Sequence, residues 1–125
     1  MGDLLDTGSA FLDRARGQWA SRTVVYARGG DSVELGATVG RTQWEQTDQF
    51  GEIERSETRD FLVTAADLVL GGLAILPERG DRITEIADAG TRVHQVLAPG
   101  SGPPWQWADP YRRTLRIHTR EVEAT

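Results

Sequence analysis

The chain has 125 residues, enough for one domain around one core, and its 38% hydrophobic and 26% charged residues fit a somewhat polar globular protein with no run long enough to cross a bilayer. It has no cysteine, which excludes disulfide scaffolds, thiolate zinc sites, iron–sulfur clusters and cysteine nucleophiles. The net charge is −5 and is concentrated in residues 31–67, where nine acids face three arginines, so no basic stripe exists to neutralise phosphates.

All fourteen basic residues are arginine. A GC-rich genome accounts for this, although arginine also suits planar, bidentate contacts at interfaces. The opening stretch "MGDLLDTGSAFLDRAR" carries acids where a secretory signal carries bases, so synthesis and use in the cytoplasm are expected.

Residues 1–20 read as an amphipathic helix. Leu5, Phe11, Leu12, Ala15 and Trp19 share one face, Asp3 and Asp6 stand near its start, and Arg14 and Arg16 stand near its end, as the helix dipole favours. Beyond it the pattern turns to β. "RTVVYAR" (Arg22–Arg28) is rich in β-branched and aromatic residues and runs into a Gly29-Gly30-Asp31 turn. "SVELGATVGRTQWEQ" is expected as short pieces interrupted at Gly36 and Gly40, since glycine inside a strand often marks a bulge or bend.

"TDQFGEIERSETRD" is polar and acidic and reads as a long loop or the exposed end of a hairpin. "DFLVT" then supplies a buried strand and "AADLVLGG" a short helical turn near 65–70. In "LPERGDRITEIADAGTRVHQVL", Pro77 with Gly80 and Asp81 forms a turn, "RITEIA" and "TRVHQVL" form two strands, and Asp88-Ala89-Gly90 makes a three-residue hairpin loop whose glycine takes the left-handed position. "APGSGPP" is a loop and "WQWADPYRR" an irregular aromatic segment. "TLRIHTREV" is a final strand with Leu115, Ile117 and Thr119 on one face and Arg116, His118 and Arg120 on the other.

These elements predict a mainly β fold in a single domain over residues 1–125. It comprises a helix over 1–20, a small β-barrel or sandwich of short antiparallel strands over 22–122, and an acidic loop or hairpin over 45–60.

Candidate chemistry is sparse. His94 and His118 lie on predicted strands, where Glu85 or Glu121 is within reach for a metal or acid–base site, but they lack the spacing of a helix-borne zinc pair and a third ligand. Partly exposed strand positions are the plainer reading. The acids Glu45, Asp48, Glu52, Glu54, Glu57 and Asp60 do not have calcium-loop spacing. They form either a solvated loop or an acidic surface that lets DNA pass without adhering. No G-x-S-x-G, G-x-x-x-x-G-K-[ST] or G-x-G-x-x-G element occurs, so neither nucleophilic nor nucleotide chemistry is supported and no catalytic residue, metal or cofactor is assigned.

The densest aromatic stretch holds Trp105, Trp107 and Tyr111, followed by Arg112 and Arg113. It reads as a core plug, as a protein–protein anchor, or as a base-stacking platform.

"DFLVTAADLVLGG…ILPERGDRI", "DAGTRVHQVLAP" and "PPWQWADPYRRTLRIHTREV" together resemble the small head-closure and head–tail joining (neck) proteins of tailed bacteriophages, in which a strand leads through a Pro-x-x-Gly-Asp-x-Ile turn into a hairpin. The resemblance covers roughly the C-terminal half. It departs from the family at Val93-His94, where an aromatic residue is common.

The resemblance implies a non-enzymatic virion protein, assembled in the bacterial host cytoplasm. It would form a ring at the portal vertex, contact portal or adaptor and tail proteins, and close the channel through which DNA passes as cargo, with no membrane partner. Pro77, Gly80, Asp81, Asp88 and Gly90 would then set the hairpin, and Glu45–Asp60 would face DNA. Phe11, Trp19, Trp105, Trp107, Tyr111, Arg112 and Arg113 would contact neighbours. The alternatives are a tail-completion or tail-terminator protein, a minor capsid component, a single-stranded nucleic-acid-binding β-barrel, or a small enzyme built on His94 or His118.

Overall fold

The computed structural model describes residues 21–87, 89–98 and 102–124. The helix expected over residues 1–20, with Phe11 and Trp19, lies outside the described residues, as do Asp88 and the middle of the loop before Pro103.

Strand β1 (Ser21–Arg28) turns at Gly29-Gly30 into β2 (Asp31–Thr47), with Gly29 at φ 60°. β2 is one strand of 17 residues, not the short pieces expected from its glycines. The ladder decides this: Gly36 pairs with Thr23 of β1 and Gly40 with Asp60 of the next strand, so cross-strand bonds hold both glycines extended against their conformational freedom.

β3 (Ile53–Thr64) returns beside β2, and a single 3-10 turn at Ala65–Asp67 takes the place of the short helical turn expected there. A minimal hairpin follows, β4 (Val69–Leu70) and β5 (Leu73–Ala74), joined by Gly71 and Gly72, both at positive φ. Then come β6 (Arg82–Ala87), β7 (Gly90–Val96), β8 (Trp105–Trp107) and β9 (Thr114–Ala124).

All pairings are antiparallel, in the order β3-β2-β1-β6-β7-β9-β8, and β9 also pairs with β3. The path of hydrogen bonds therefore leads from β3 through its neighbours to β9 and back to β3. β9 achieves this with two edges: Thr114–Thr119 face β3, while on the other side Leu115–Ile117 pair with β8 and Thr119–Ala124 with β7. Between Val93 and His94 the register shifts, with Val93 opposite Glu123 and His94 opposite Glu121. The extra residue, Val122, is the mark of a β-bulge in β9, which bends that strand.

The core inside this curved sheet is built from one face of each strand, including Val24, Tyr26, Phe61, Ile83, Leu115 and Ile117, all fully buried. Burying such a side chain contributes roughly 1.5–3 kcal/mol. Trp105 and Trp107 pack against it from β8, so the segment expected to be irregular begins with a short strand.

The Pro77–Asp81 turn forms as expected: the Asp81 amide donates to the Glu78 carbonyl at 3.1 Å, and Gly80 sits at φ 93°. The β6–β7 hairpin is tighter than expected. Ala87 pairs with Gly90, so the glycine, at φ 136°, opens β7 instead of belonging to a three-residue loop.

Candidate assembly surfaces and the buried networks that position them

Three acids, Asp60, Asp81 and Glu85, are buried in the protein, each held by arginine. Asp60, fully buried on β3, accepts from the hydroxyls of Thr42 and Thr58, from Arg116 Nε at 2.8 Å, and faces His118 Nδ1 at 2.9 Å. Burial alone would raise this carboxyl, but the bonds from His118, Thr42, Thr58 and Arg116 outweigh it and hold the group below the usual carboxylate range.

Gly40 makes the reach of Arg116 possible: a Cβ there would stand 3.1 Å from Arg116 Nη2, which donates to the Arg41 carbonyl at 3.0 Å. Trp44 covers the cluster, with its ring edge-on to His118 at 5.0 Å and its Nε1 donating to Thr58 at 3.1 Å. This network ties β2, β3 and β9 together at one level.

Asp81 ties the turn to β1. It accepts from the Tyr26 hydroxyl, from Arg28 Nε and Nη2 at 2.9 and 2.8 Å, and from the Glu78 amide at 3.0 Å. Burial pushes the Tyr26 phenol far above its ordinary range, reinforced by the Asp81 carboxylate. The same arginine bonds the Leu76 carbonyl at 2.7 Å, so the chain around Pro77 is pinned from both sides.

Glu85, on β6, takes Arg59 Nε at 2.7 Å and Arg22 Nη1 at 3.3 Å. Burial opposes its ionisation, but Arg59, aided by Arg22, keeps its carboxyl low. His94 Nε2 lies 2.9 Å from Glu85 Oε1, yet neither ring nitrogen makes an aligned hydrogen bond. Burial lowers the His94 ring below its ordinary value more than Glu85 raises it, and Arg59 acts in the same direction as burial. The ring is therefore neutral at pH 7. Both histidines are buried, which corrects the expectation of partly exposed positions: His94 lies opposite Ile83 on the same face of β7 as Val96, against Phe61, and Asp60 draws in His118.

A buried ion pair is weak grounds for stability, because desolvation offsets most of the attraction. What these three networks supply is position: each fixes a surface feature to the sheet.

The first feature is a ribbon. Beyond the Arg41–Arg59 pair, β2 and β3 continue for six more rungs, from Thr42–Thr58 to Thr47–Ile53, while β1 stops at Thr38 and β9 at Arg59. Two strands therefore stand out from the sheet with no further strand beside them among the described residues. Asp48 closes the tip, accepting from the amides of Phe50 and Glu52 at 2.8 and 2.9 Å, with Gly51 at φ 81°. Phe50 and Ile53 are 79% and 62% exposed there. Glu45 pairs with Arg55 at 3.3 Å and Glu57 with Arg41 at 3.5 Å along the shaft.

Of the six acids expected on one exposed loop, five lie on this ribbon. Asp60 does not: it sits below the base, fully buried on the face of β3 opposite Phe61.

The second feature is a recess of about 490 Å3 at the end of the sheet near the β6–β7 turn, framed by Arg22, Arg59 and Arg92 around Glu85. Its remaining walls are small, from Ala87, Ala89, Gly90 and Ala124. Sequence reasoning missed it because its arginines come from three separate strands.

The third feature is the 105–113 segment. Trp105 and Trp107 are half-buried against the core, with rings T-shaped at 5.2 Å. Tyr111 is 78% exposed, with Arg113 over its ring at 5.8 Å. Asp109 holds the loop by accepting from the amides of Arg113 and Thr114 at 2.9 and 2.8 Å, and these bonds, that from Thr114 foremost, lower its carboxyl. Arg112 occupies a left-handed conformation at φ 58°.

Among the described residues, no group of three or more histidines and acids is arranged to hold a metal ion, and no helix is long and apolar enough to cross a membrane. The described residues form a mainly β scaffold that presents these three surfaces. The family model for the phage head-tail joining protein matches residues 2–125, and the chain belongs to that family. It is thus a structural protein of the phage neck and a component of the virion, with head and tail components as its partners. A search of curated proteins finds no match.

Proposed function

We propose that the protein is the subunit that joins the portal-bearing head to the tail and closes the DNA channel after packaging, acting as a ring-shaped homo-oligomer. The observation that carries this reading is the ribbon of residues 42–57, which among the described residues stands free of the sheet, on a family member whose match spans the chain. A ribbon fixed at its base by the Asp60 network is a stiff arm that reaches beyond the subunit. Five carboxylates against one guanidinium over those residues make it a surface that repels a DNA backbone. The acidic shaft therefore suits the channel side of a ring, and the exposed Tyr111 segment suits a docking face for a neighbouring layer.

The test is electron microscopy of particles made when the gene is disrupted in its viral or prophage setting. DNA-leaking heads beside complete, unattached tails are expected. Normally joined particles would overturn the reading.

A further inference from the structure

We infer that the ribbon tip of one copy seats in the arginine-framed recess of the next, a head-to-tail contact that specifies how copies join; it rests on the ring-forming reading above. Among the described residues, the recess is lined by three guanidiniums and one carboxylate. Arg22 and Arg59 are bonded to Glu85 through Nη1 and Nε, and a guanidinium carries five N–H donors, so donors remain for a carboxylate entering from outside. Arg92, 62% exposed, stands 3.6 Å from Glu121 at the rim. The small side chains of Ala87, Ala89 and Gly90 leave room for a bulky apolar group between the charges.

The tip has the complementary form. Phe50 and Ile53 project from it, and Glu52 and Glu54 flank them. An apolar knob ringed by carboxylates matches an unfilled hollow ringed by guanidiniums, and opposite charge both steers the approach and selects the partner. A phosphate backbone would satisfy the arginines but has nothing to fill the small-residue hollow.

The contact is between copies. Arg59 stands at the base of the ribbon, and six rungs at about 3.4 Å each put the tip roughly 20 Å further out. The two strands pair directly along that length, so the tip does not fold back to its own recess. A knob and a hollow on different parts of one subunit make a heterologous contact, which propagates and closes into a ring when the rotation permits.

The absence of cysteine from the chain makes the test direct. Full-length Gln49→Cys and Ala89→Cys proteins, the first with its cysteine at an exposed tip position beside an intact Phe50, are mixed at low ionic strength under mild oxidation and resolved without reductant. A covalent heterodimer is expected, well above the yield from Gln49→Cys alone or from Gln49→Cys mixed with Leu73→Cys, an exposed apolar position elsewhere. Adding Arg92→Glu to the Ala89→Cys chain should lower the yield on the order of tenfold, and adding Glu52→Arg to the Gln49→Cys chain should restore it. Both charge changes are at exposed positions, so folding is unaffected.

A yield no greater than the Leu73→Cys control, or one indifferent to Arg92→Glu, would overturn the contact. So would loss of the heterodimer on adding duplex DNA with no effect from the charge swap, which would assign the recess to phosphate. These failures leave the particle phenotype untouched: unattached tails without the cross-link sink the contact alone, and joined particles sink the neck role whatever the cross-link shows.

Discussion

Replacing Asp60 with asparagine separates the two places this residue could occupy. On an exposed acidic loop the change would cost within about 0.5 kcal/mol, as surface substitutions do. In the structure the carboxylate is fully buried and serves Thr42, Thr58, Arg116 and His118 at once. Asparagine brings an NH2 group where only acceptors fit and leaves the Arg116 guanidinium without its counter-charge.

Breaking a buried pair by removing one partner costs roughly 3–5 kcal/mol. Arg116 retains a quarter of its side-chain exposure, so water recovers part of that. The expected loss is roughly 2–4 kcal/mol, and at about 4 °C per kcal/mol for a domain of this size the Tm falls by roughly 8–16 °C. Urea and thermal unfolding followed by far-UV circular dichroism read both quantities. Glu57→Gln, on the ribbon shaft, serves as the control and should stay within about 0.5 kcal/mol. Equal, small effects from the two variants would refute the buried network.

Gly40→Ala should cost on the order of 1 kcal/mol by pushing a Cβ against Arg116, and combined with Asp60→Asn the losses should be less than additive in urea titrations, because both act on one cluster. Stability should also fall with acid in two stages. The His94 ring is held below its unfolded value of about 6.5, so the unfolded chain binds the proton first and stability declines as pH drops below about 6.5. Asp60, Asp81 and Glu85 are likewise held low, so their contribution is complete above about pH 4 and is lost below it as the folded carboxylates protonate. Unfolding free energies measured across pH 3–8 test this, and a rise between pH 7 and 5.5 would contradict it. Trp105→Ala should cost about 2–3 kcal/mol because the ring packs on the core, while Tyr111→Ala should stay within about 0.5 kcal/mol, both by urea denaturation.

Local chemistry made much of the fold legible. β-Branched alternation located β1, β6, β7 and β9, and glycine with proline located the turns at Gly29-Gly30 and Pro77–Asp81, because period and backbone conformation are properties of adjacent residues. The Pro-x-x-Gly-Asp-x-Ile turn and the aromatic C-terminal run also carried the family resemblance, which the match over residues 2–125 bears out. What remained hidden depended on partners distant in the chain. Gly36 and Gly40 look like breaks until β1 and β3 flank them, and Asp60 looks like one more surface acid until Arg116, 56 positions away, closes on it. Asp81 and Glu85 are buried for the same reason: a charge leaves water only where its counter-charge is delivered, and only the tertiary structure determines where each arginine arrives.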